Sequence, residues 1–159
     1  MSSPSNATDR FGERIADAAR ALGVSVGAAE SLTSGAVAVA LGKAPDASEW
    51  FVGSVVAYDA SVKSDVLGVD AGPVITARAA EQMARGALRV LGADYAVAVT
   101  GAGGPGPEEG RPAGTVFVAV ATDDDVGVGE HRFDGDPAQV VAATVHEALA
   151  ALLRRLERI

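Results

Sequence analysis

The chain has 159 residues and no cysteine, so it fits one domain, and disulfides, thiolate nucleophiles and cysteine-ligated metals are excluded. A formal net charge of -8 argues against nucleic acid as a partner, because an acidic surface repels the phosphate backbone. No apolar run reaches the ~18 residues of a membrane span, so no membrane contact is expected. The polar segment 1–9 lacks a secretory pattern, and we expect it to be a flexible tail before a single domain, 10–159, of a cytoplasmic protein.

Apolar periodicity and breaker residues divide the chain into alternating helices and strands. The predicted helices are Thr8–Leu22, Ala36–Leu41, Ala60–Leu67 after a cap at Asp59, a helix capped by Thr76 that ends at Leu91, and Pro137–Arg158. The predicted strands are Val24–Ala28, Phe51–Ala57, Tyr95–Val99, Thr115–Ala121 and Val126–Phe133. The link between the last two is too short for a parallel crossover. The pattern therefore predicts an α/β fold, a three-layer α/β/α sandwich with a mixed sheet of about five strands.

The first candidate for chemistry is Ser31, which follows the first predicted strand just before a helix. Its hydroxyl is expected at the carboxyl end of that strand, beside free N–H groups that can bind a phosphate or an oxyanion. The same pattern fits a helix cap made by Ser31, Thr33 and Ser34, and the local sequence alone favours the cap.

Tyr58 and Lys63 follow the second predicted strand and can point into the same crevice. Among 13 basic residues, the only lysines are Lys43 and Lys63, and arginine cannot give up its proton as a base must. A lysine in the first turn of a helix opposes the helix dipole, which predicts a lowered pKa, as a general base needs. The alternative is a solvated lysine beside a half-buried tyrosine.

The segment Gly101–Gly114 is rich in glycine and proline, and its first part, Gly101–Gly106, formally matches a dinucleotide-binding glycine pattern. We reject that interpretation, because Pro105–Glu109 contains two prolines that prevent the required helix and two glutamates that repel phosphate. We interpret the segment as a loop that lines the crevice, with Thr100 offering a hydroxyl; a flexible surface loop is the alternative.

No metal site is predicted. His131 and His146 have no partner at a recognisable spacing, and Asp123–Asp125 is interpreted as a hairpin tip.

Several short segments together resemble the CinA C-terminal domain, the nicotinamide-nucleotide amidohydrolase family. In chain order they are Ala29–Gly35, Tyr58–Val69, Val99–Gly101, Gly104–Gly106, Gly114–Val116 and Phe133–Asp136. They follow the family's order over nearly the whole chain.

This resemblance implies an enzyme that hydrolyses the carboxamide of nicotinamide mononucleotide to nicotinate mononucleotide and ammonia, without metal or cofactor. It implies Ser31 as the nucleophile, Lys63 as its base and Tyr58 as a supporting proton-transfer or positioning group. The other residues expected to bind the pyridine nucleotide are Glu30, Thr33, Ser34, Gly35, Thr100, Gly101, Gly104 and Gly106. We expect backbone N–H groups near Thr33–Gly35 to hold the oxyanion. A homodimer or higher homo-oligomer is also implied.

The chain departs from the family pattern at four positions. Ser34 stands where glycine is usual, Ala60 where asparagine is usual, and Pro137 and Val141 where arginine is common. Three alternatives to the amidohydrolase stay open: a catalytically degenerate ligand-binding or regulatory domain, an interaction module that uses the acidic surface and the last helix, and an enzyme with another amide substrate.

Overall fold

The structure, a computed structural model, describes residues 4–158. The helices are α1 (Pro4–Leu22), α2 (Ala36–Gly42), α3 (Ala60–Leu67), α4 (Ala77–Leu91) and α5 (Pro137–Glu157), with a 3-10 turn at Ala47–Glu49 inside a predicted loop. The strands are β1 (Val26–Glu30), β2 (Phe51–Val56), β3 (Tyr95–Gly101), β4 (Thr115–Ala121) and β5 (Val126–Arg132).

The five strands form one mixed sheet in the order β2-β1-β3-β4-β5. β1 pairs in parallel with both β2 and β3, whereas β3–β4 and β4–β5 pair antiparallel. The predicted α/β class and mixed sheet are confirmed. Because β1, β2 and β3 run in the same direction, the residues that follow them gather at one edge of the sheet, where ligands of open α/β sheets bind.

Four predicted boundaries are wrong by two residues or more. β1 begins at Val26, since the Val24 N–H still donates to Ala19 O at the end of α1, and it continues to Glu30, which pairs with β2. β3 continues to Gly101 because its pairing with β4 extends that far. α1 begins at Pro4, so residues 4–9 are helical and are not the predicted tail; an ion pair of 2.8 Å between Asp9 and Lys43 anchors this turn. Residues 1–3 lie outside the described residues.

Helices cover both faces of the sheet, so a hydrophobic core lies on each face. Because successive side chains of a strand point to opposite faces, one strand can contribute to both cores. On β4, Val116, Val118 and Val120 pack towards α1, α2 and α5. The intervening Phe117, Ala119 and Ala121 pack towards α3 and α4. This second core is built largely from alanine, which lets the helices lie close to the sheet.

The approach of α4 to α3 depends on Gly86. A Cβ at this position would lie 2.2 Å from Leu67 O, so only glycine admits this contact. Since α3 carries Lys63, this packing fixes the helix that presents the amine. Within residues 4–158, no helix combines the length and apolarity needed to cross a membrane.

Candidate active site

An open cavity of about 500 Å³ lies at the carboxyl ends of β1 and β3 and beside the start of α3. Its size lies in the usual range for small-molecule sites. The predicted site residues that line it are Ser31, Tyr58, Lys63, Thr100, Gly101 and Gly104. The cavity thus brings the predicted nucleophile and the predicted base to one site from different parts of the chain.

Ser31 follows β1 directly and is largely buried, with 8% of its surface exposed. Within residues 4–158 its hydroxyl makes no hydrogen bond to protein. A serine that only capped α2 would accept from the helix backbone. In this structure the cap interpretation therefore does not hold for Ser31, and its hydroxyl is available at the cavity.

Lys63 is 2% exposed, which is unusual for lysine. Its Nζ donates to the backbone oxygen of Tyr58 at 3.1 Å, which holds the amine at the cavity wall. Burial lowers the pKa of Lys63, while Asp59, Glu109 and Glu108 act in the opposite direction. The lowered pKa agrees with the predicted direction, and its largest cause is desolvation by burial.

Tyr58 contributes to the site chiefly through its backbone. The residue is 70% exposed at the rim of the cavity, and its carbonyl accepts the Lys63 hydrogen bond. The observed contact is a positioning one.

Glu30 was predicted to bind substrate, and the structure places it elsewhere. Its carboxylate is fully buried under the α2 N-terminus, outside the cavity lining. It accepts five hydrogen bonds, from Thr33 Oγ1 (2.7 Å), Gly35 N (3.1 Å), Val37 N (2.9 Å), Ala38 N (3.0 Å) and Ser54 Oγ (2.9 Å). The physical reason is that the first N–H groups of a buried helix need acceptors, and this carboxylate satisfies them.

Two of the N–H groups predicted to hold the oxyanion, those of Ser34 and Gly35, are already engaged within the protein. The N–H of Gly35 is bound to Glu30, and the N–H of Ser34 donates to Ser31 O at 3.1 Å. Thr33 is buried with its hydroxyl on Glu30, and Ser34 is exposed in a left-handed conformation with φ 53°, which explains why glycine suits that position. None of the three residues lines the cavity.

Other backbone N–H groups are available to an oxyanion. Leu32, Gly103 and Gly104 line the cavity, and within residues 4–158 their N–H groups make no hydrogen bond. Leu32 directly follows the nucleophile, a common position for such a donor. A donor at Gly103 or Gly104 belongs to the glycine-rich loop, which therefore does line the crevice as predicted.

Two further predictions about the β3 end need correction. The Thr100 hydroxyl reaches the cavity wall but donates to Val74 O at 2.8 Å, so its proton is already committed. Gly106 is exposed and lies outside the cavity lining, because the loop turns away into solvent there. Gly101 is required for close pairing, since a Cβ there would lie 2.6 Å from Thr115 O.

Glu109 has a structural contact that the sequence did not indicate. Its carboxylate accepts from Val74 N at 3.0 Å and from Ile75 N at 2.7 Å, so it ties the glycine-rich loop to the segment before α4. Glu109 and Glu108 both line the cavity. Glu109 is 35 residues from Val74 and 34 residues from Ile75 in the sequence. No periodic pattern in the sequence indicates a contact over that separation.

Three of the four departures from the family pattern lie on the cavity wall. Ala60, Pro137 and Val141 line it, the last two from the start of α5. Relative to the family pattern, these three residues change the polarity of the cavity wall, whereas Ser31 and Lys63 are both retained on it. Among residues 4–158 no group of three or more histidine, aspartate or glutamate side chains is arranged to hold a metal ion.

Comparisons with known proteins agree with this architecture. The model of the CinA C-terminal domain family matches residues 8–156. A putative competence-damage inducible protein of Desulforamulus reducens is 37% identical over 143 residues, which is 87% of this chain and 34% of that protein. A CinA-like protein of Frankia casuarinae is 38% identical over 133 residues, 80% of this chain and 31% of that protein. The chain therefore spans about a third of the length of these curated relatives.

Solved structures extend the similarity to three dimensions. The competence damage-inducible protein A of Klebsiella pneumoniae superposes with a TM-score of 0.90 at 35% identity, covering 94% of this chain and 96% of that one. A competence/damage inducible protein of Agrobacterium tumefaciens gives 0.89 at 33% identity and covers 96% of each chain. Sequence and fold agree along almost the whole chain, and the protein belongs to the CinA C-terminal domain family.

Proposed function

We propose that this protein is a metal-independent amidohydrolase that hydrolyses the carboxamide of a pyridine nucleotide to the carboxylate and ammonia. Nicotinamide mononucleotide is the reference substrate, because the family resemblance implies it. The observation that carries the proposal is a buried lysine of lowered pKa and a serine with an uncommitted hydroxyl on the wall of one cavity.

In the first step the Ser31 oxygen bonds to the amide carbon while neutral Lys63 takes the serine proton. Burial favours the neutral amine, and the Tyr58 carbonyl holds it in place through one N–H, which leaves the lone pair for the proton. The carbonyl electrons move onto oxygen, and the N–H groups of Leu32 and Gly103 or Gly104 stabilise that oxyanion.

In the second step the tetrahedral species collapses and the carbon–nitrogen bond breaks. Lys63 returns its proton to the departing nitrogen, so ammonia leaves and an ester of Ser31 remains. A water molecule then attacks the ester carbon and gives its proton to Lys63. The serine oxygen leaves with that proton, which restores both residues and releases the carboxylic acid.

Ammonia release from nicotinamide mononucleotide tests the proposal. The Ser31→Ala and Lys63→Met variants should each lose at least about 1000-fold in kcat, since residues of a catalytic unit give large losses when removed singly. Lys63→Arg should be equally inactive, because arginine remains protonated.

The other lysine provides a matched control. Lys43 is exposed and pairs with Asp9 on the surface, so Lys43→Arg should retain the wild-type rate. Thermal unfolding of each variant separates loss of chemistry from loss of fold. Wild-type rates in folded Ser31→Ala or Lys63→Arg protein would disprove the assignment, and ligand binding without any ammonia release would favour the degenerate binding domain.

A further inference from the structure

The cavity carries negative charge around its nucleophile. Its charged lining residues are Lys63, Glu108 and Glu109, and among the described lining residues Lys63 is the sole cation. When Lys63 is neutral, as its role as a base requires, two carboxylates remain. Glu109 cannot swing away, because two backbone N–H groups hold its carboxylate.

Helix N-termini commonly bind phosphate, but each one beside this cavity already carries a capping carboxylate of this chain. Glu30 accepts the N–H groups at the start of α2. Asp59 caps α3 by accepting from Ser61 N at 3.0 Å. Asp136 caps α5 by accepting from Gln139 N at 2.8 Å. Each cap places a carboxylate where a phosphate would otherwise gain from the helix dipole.

The start of α5 is particularly unsuited to an anion. Its first residue, Pro137, has no N–H, and the next cavity-lining positions are Ala138 and Val141. An apolar wall offers few donors to replace the water around a phosphate dianion, so an anion placed there would lose hydration with little compensation. The same wall accepts a pyridine ring or the uncharged face of a sugar.

We propose that this site, given the amidohydrolase chemistry above, selects a pyridinium carboxamide nucleoside without a phosphate over the corresponding mononucleotide. The nucleoside carries a single positive charge on its ring, which the two cavity glutamates attract. The mononucleotide adds a phosphate of roughly -1.5 to -2 charge at neutral pH, which they repel. The reaction stays a hydrolysis of the carboxamide, with ammonia as the leaving group.

The test compares kcat/KM for ammonia release from nicotinamide riboside and from nicotinamide mononucleotide with the wild-type protein. We expect the riboside to be favoured about tenfold or more, the effect of one additional like-charge contact in a partly solvated site. The preference should shrink when the ionic strength rises from low salt to about 0.15 M, since screening weakens interactions between exposed charges.

Adding a cation to the wall should move the preference towards the mononucleotide. Val141→Arg is expected to shift the riboside-to-mononucleotide ratio at least about tenfold towards the mononucleotide. Ala142→Arg provides the matched control, because it adds the same charge to the neighbouring exposed position of α5, outside the cavity lining. Glu108→Gln should shift the ratio in the same direction as Val141→Arg, since it removes a repelling carboxylate.

The outcomes separate this inference from the function on which it rests. A wild-type kcat/KM for the mononucleotide equal to or above that for the riboside would overturn the selectivity and leave the amidohydrolase intact. If neither compound releases ammonia, the amidohydrolase is refuted. In that case a rise in Tm with the riboside alone would retain the selectivity, and equal shifts or none would refute it as well.

Discussion

Replacing Glu30 by glutamine tests whether one buried carboxylate holds the nucleophile loop. Glutamine has almost the same shape, but one of its two terminal atoms is an NH2 group that donates. If the amide oxygen takes the place of Oε1, it keeps the contacts from Thr33, Gly35 and Val37. The NH2 group then faces the N–H of Ala38, and because both groups are donors this hydrogen bond is lost. The Ser54 hydroxyl can rotate and accept a hydrogen bond from the NH2 group.

The cost of Glu30→Gln can be worked from these contacts. A buried donor without a partner costs about 1–3 kcal/mol, and each remaining bond falls from the charged range of about 1.5–3 kcal/mol towards the neutral range of about 0.5–1.5 kcal/mol. Allowing for partial relaxation, we expect a loss of about 3–5 kcal/mol in the free energy of unfolding. For a domain of this size that corresponds to a fall in Tm of about 6–20 °C.

Urea unfolding followed by circular dichroism measures this loss, with two variants for comparison. Ser54→Ala removes one of the five contacts and should cost less, about 1.5–3 kcal/mol, the range for one hydrogen bond to a charged group. Glu13→Gln changes an exposed glutamate on α1 and should stay within about 0.5 kcal/mol of wild type. A Glu30→Gln protein as stable as wild type would show that the carboxylate is not what holds the start of α2, and the argument would fail.

Three further predictions concern Lys63 and the helix contact beneath it. kcat/KM for ammonia release should rise with pH, with an inflection below the ordinary lysine pKa, and Glu108→Gln should move that inflection to lower pH because Glu108 raises the pKa of Lys63. Since the folded pKa is lowered, the unfolded chain binds more protons between that value and the ordinary one. The stability of wild type relative to Lys63→Met should therefore increase with pH across this window in urea titrations. Gly86→Ala should lower Tm although alanine is the better helix former, because its Cβ would meet Leu67 O, whereas Gly42→Ala in α2, with no atom nearer than 3.9 Å, should raise it slightly.

Each of these has a clear contrary result. A pH profile that is unchanged by Glu108→Gln would show that this carboxylate does not act on Lys63. Parallel pH–stability curves for wild type and Lys63→Met would mean that Lys63 has the same pKa in the folded and unfolded chain. A Gly86→Ala variant more stable than wild type would mean that α3 and α4 are free to separate at little cost.

The sequence predicted most of the fold because the relevant signals are local. The α3 bounds, Ala60–Leu67, agree completely, since Asp59 caps the helix and Gly68 ends it in a left-handed conformation. The β4–β5 hairpin follows from short-range alternation and a brief turn. The start of β1 was misplaced because Val24 is apolar like a strand residue, yet its N–H completes the last turn of α1.

The site was predictable only in part. The sequence by itself determined that a serine follows the first strand and that a tyrosine and a rare lysine follow the second. The structure then shows that these strands are parallel, so their ends lie at one edge. Only the tertiary structure decided what those positions do, because hydrogen bonds between distant segments depend on how the layers pack. Packing turned Glu30 from a substrate contact into a buried anchor for five donors, and it lowered the pKa of Lys63 through burial. It also brought Glu109 to the cavity and placed capping carboxylates at the neighbouring helix ends, so the charge around Ser31 is a property of the fold and not of any single motif.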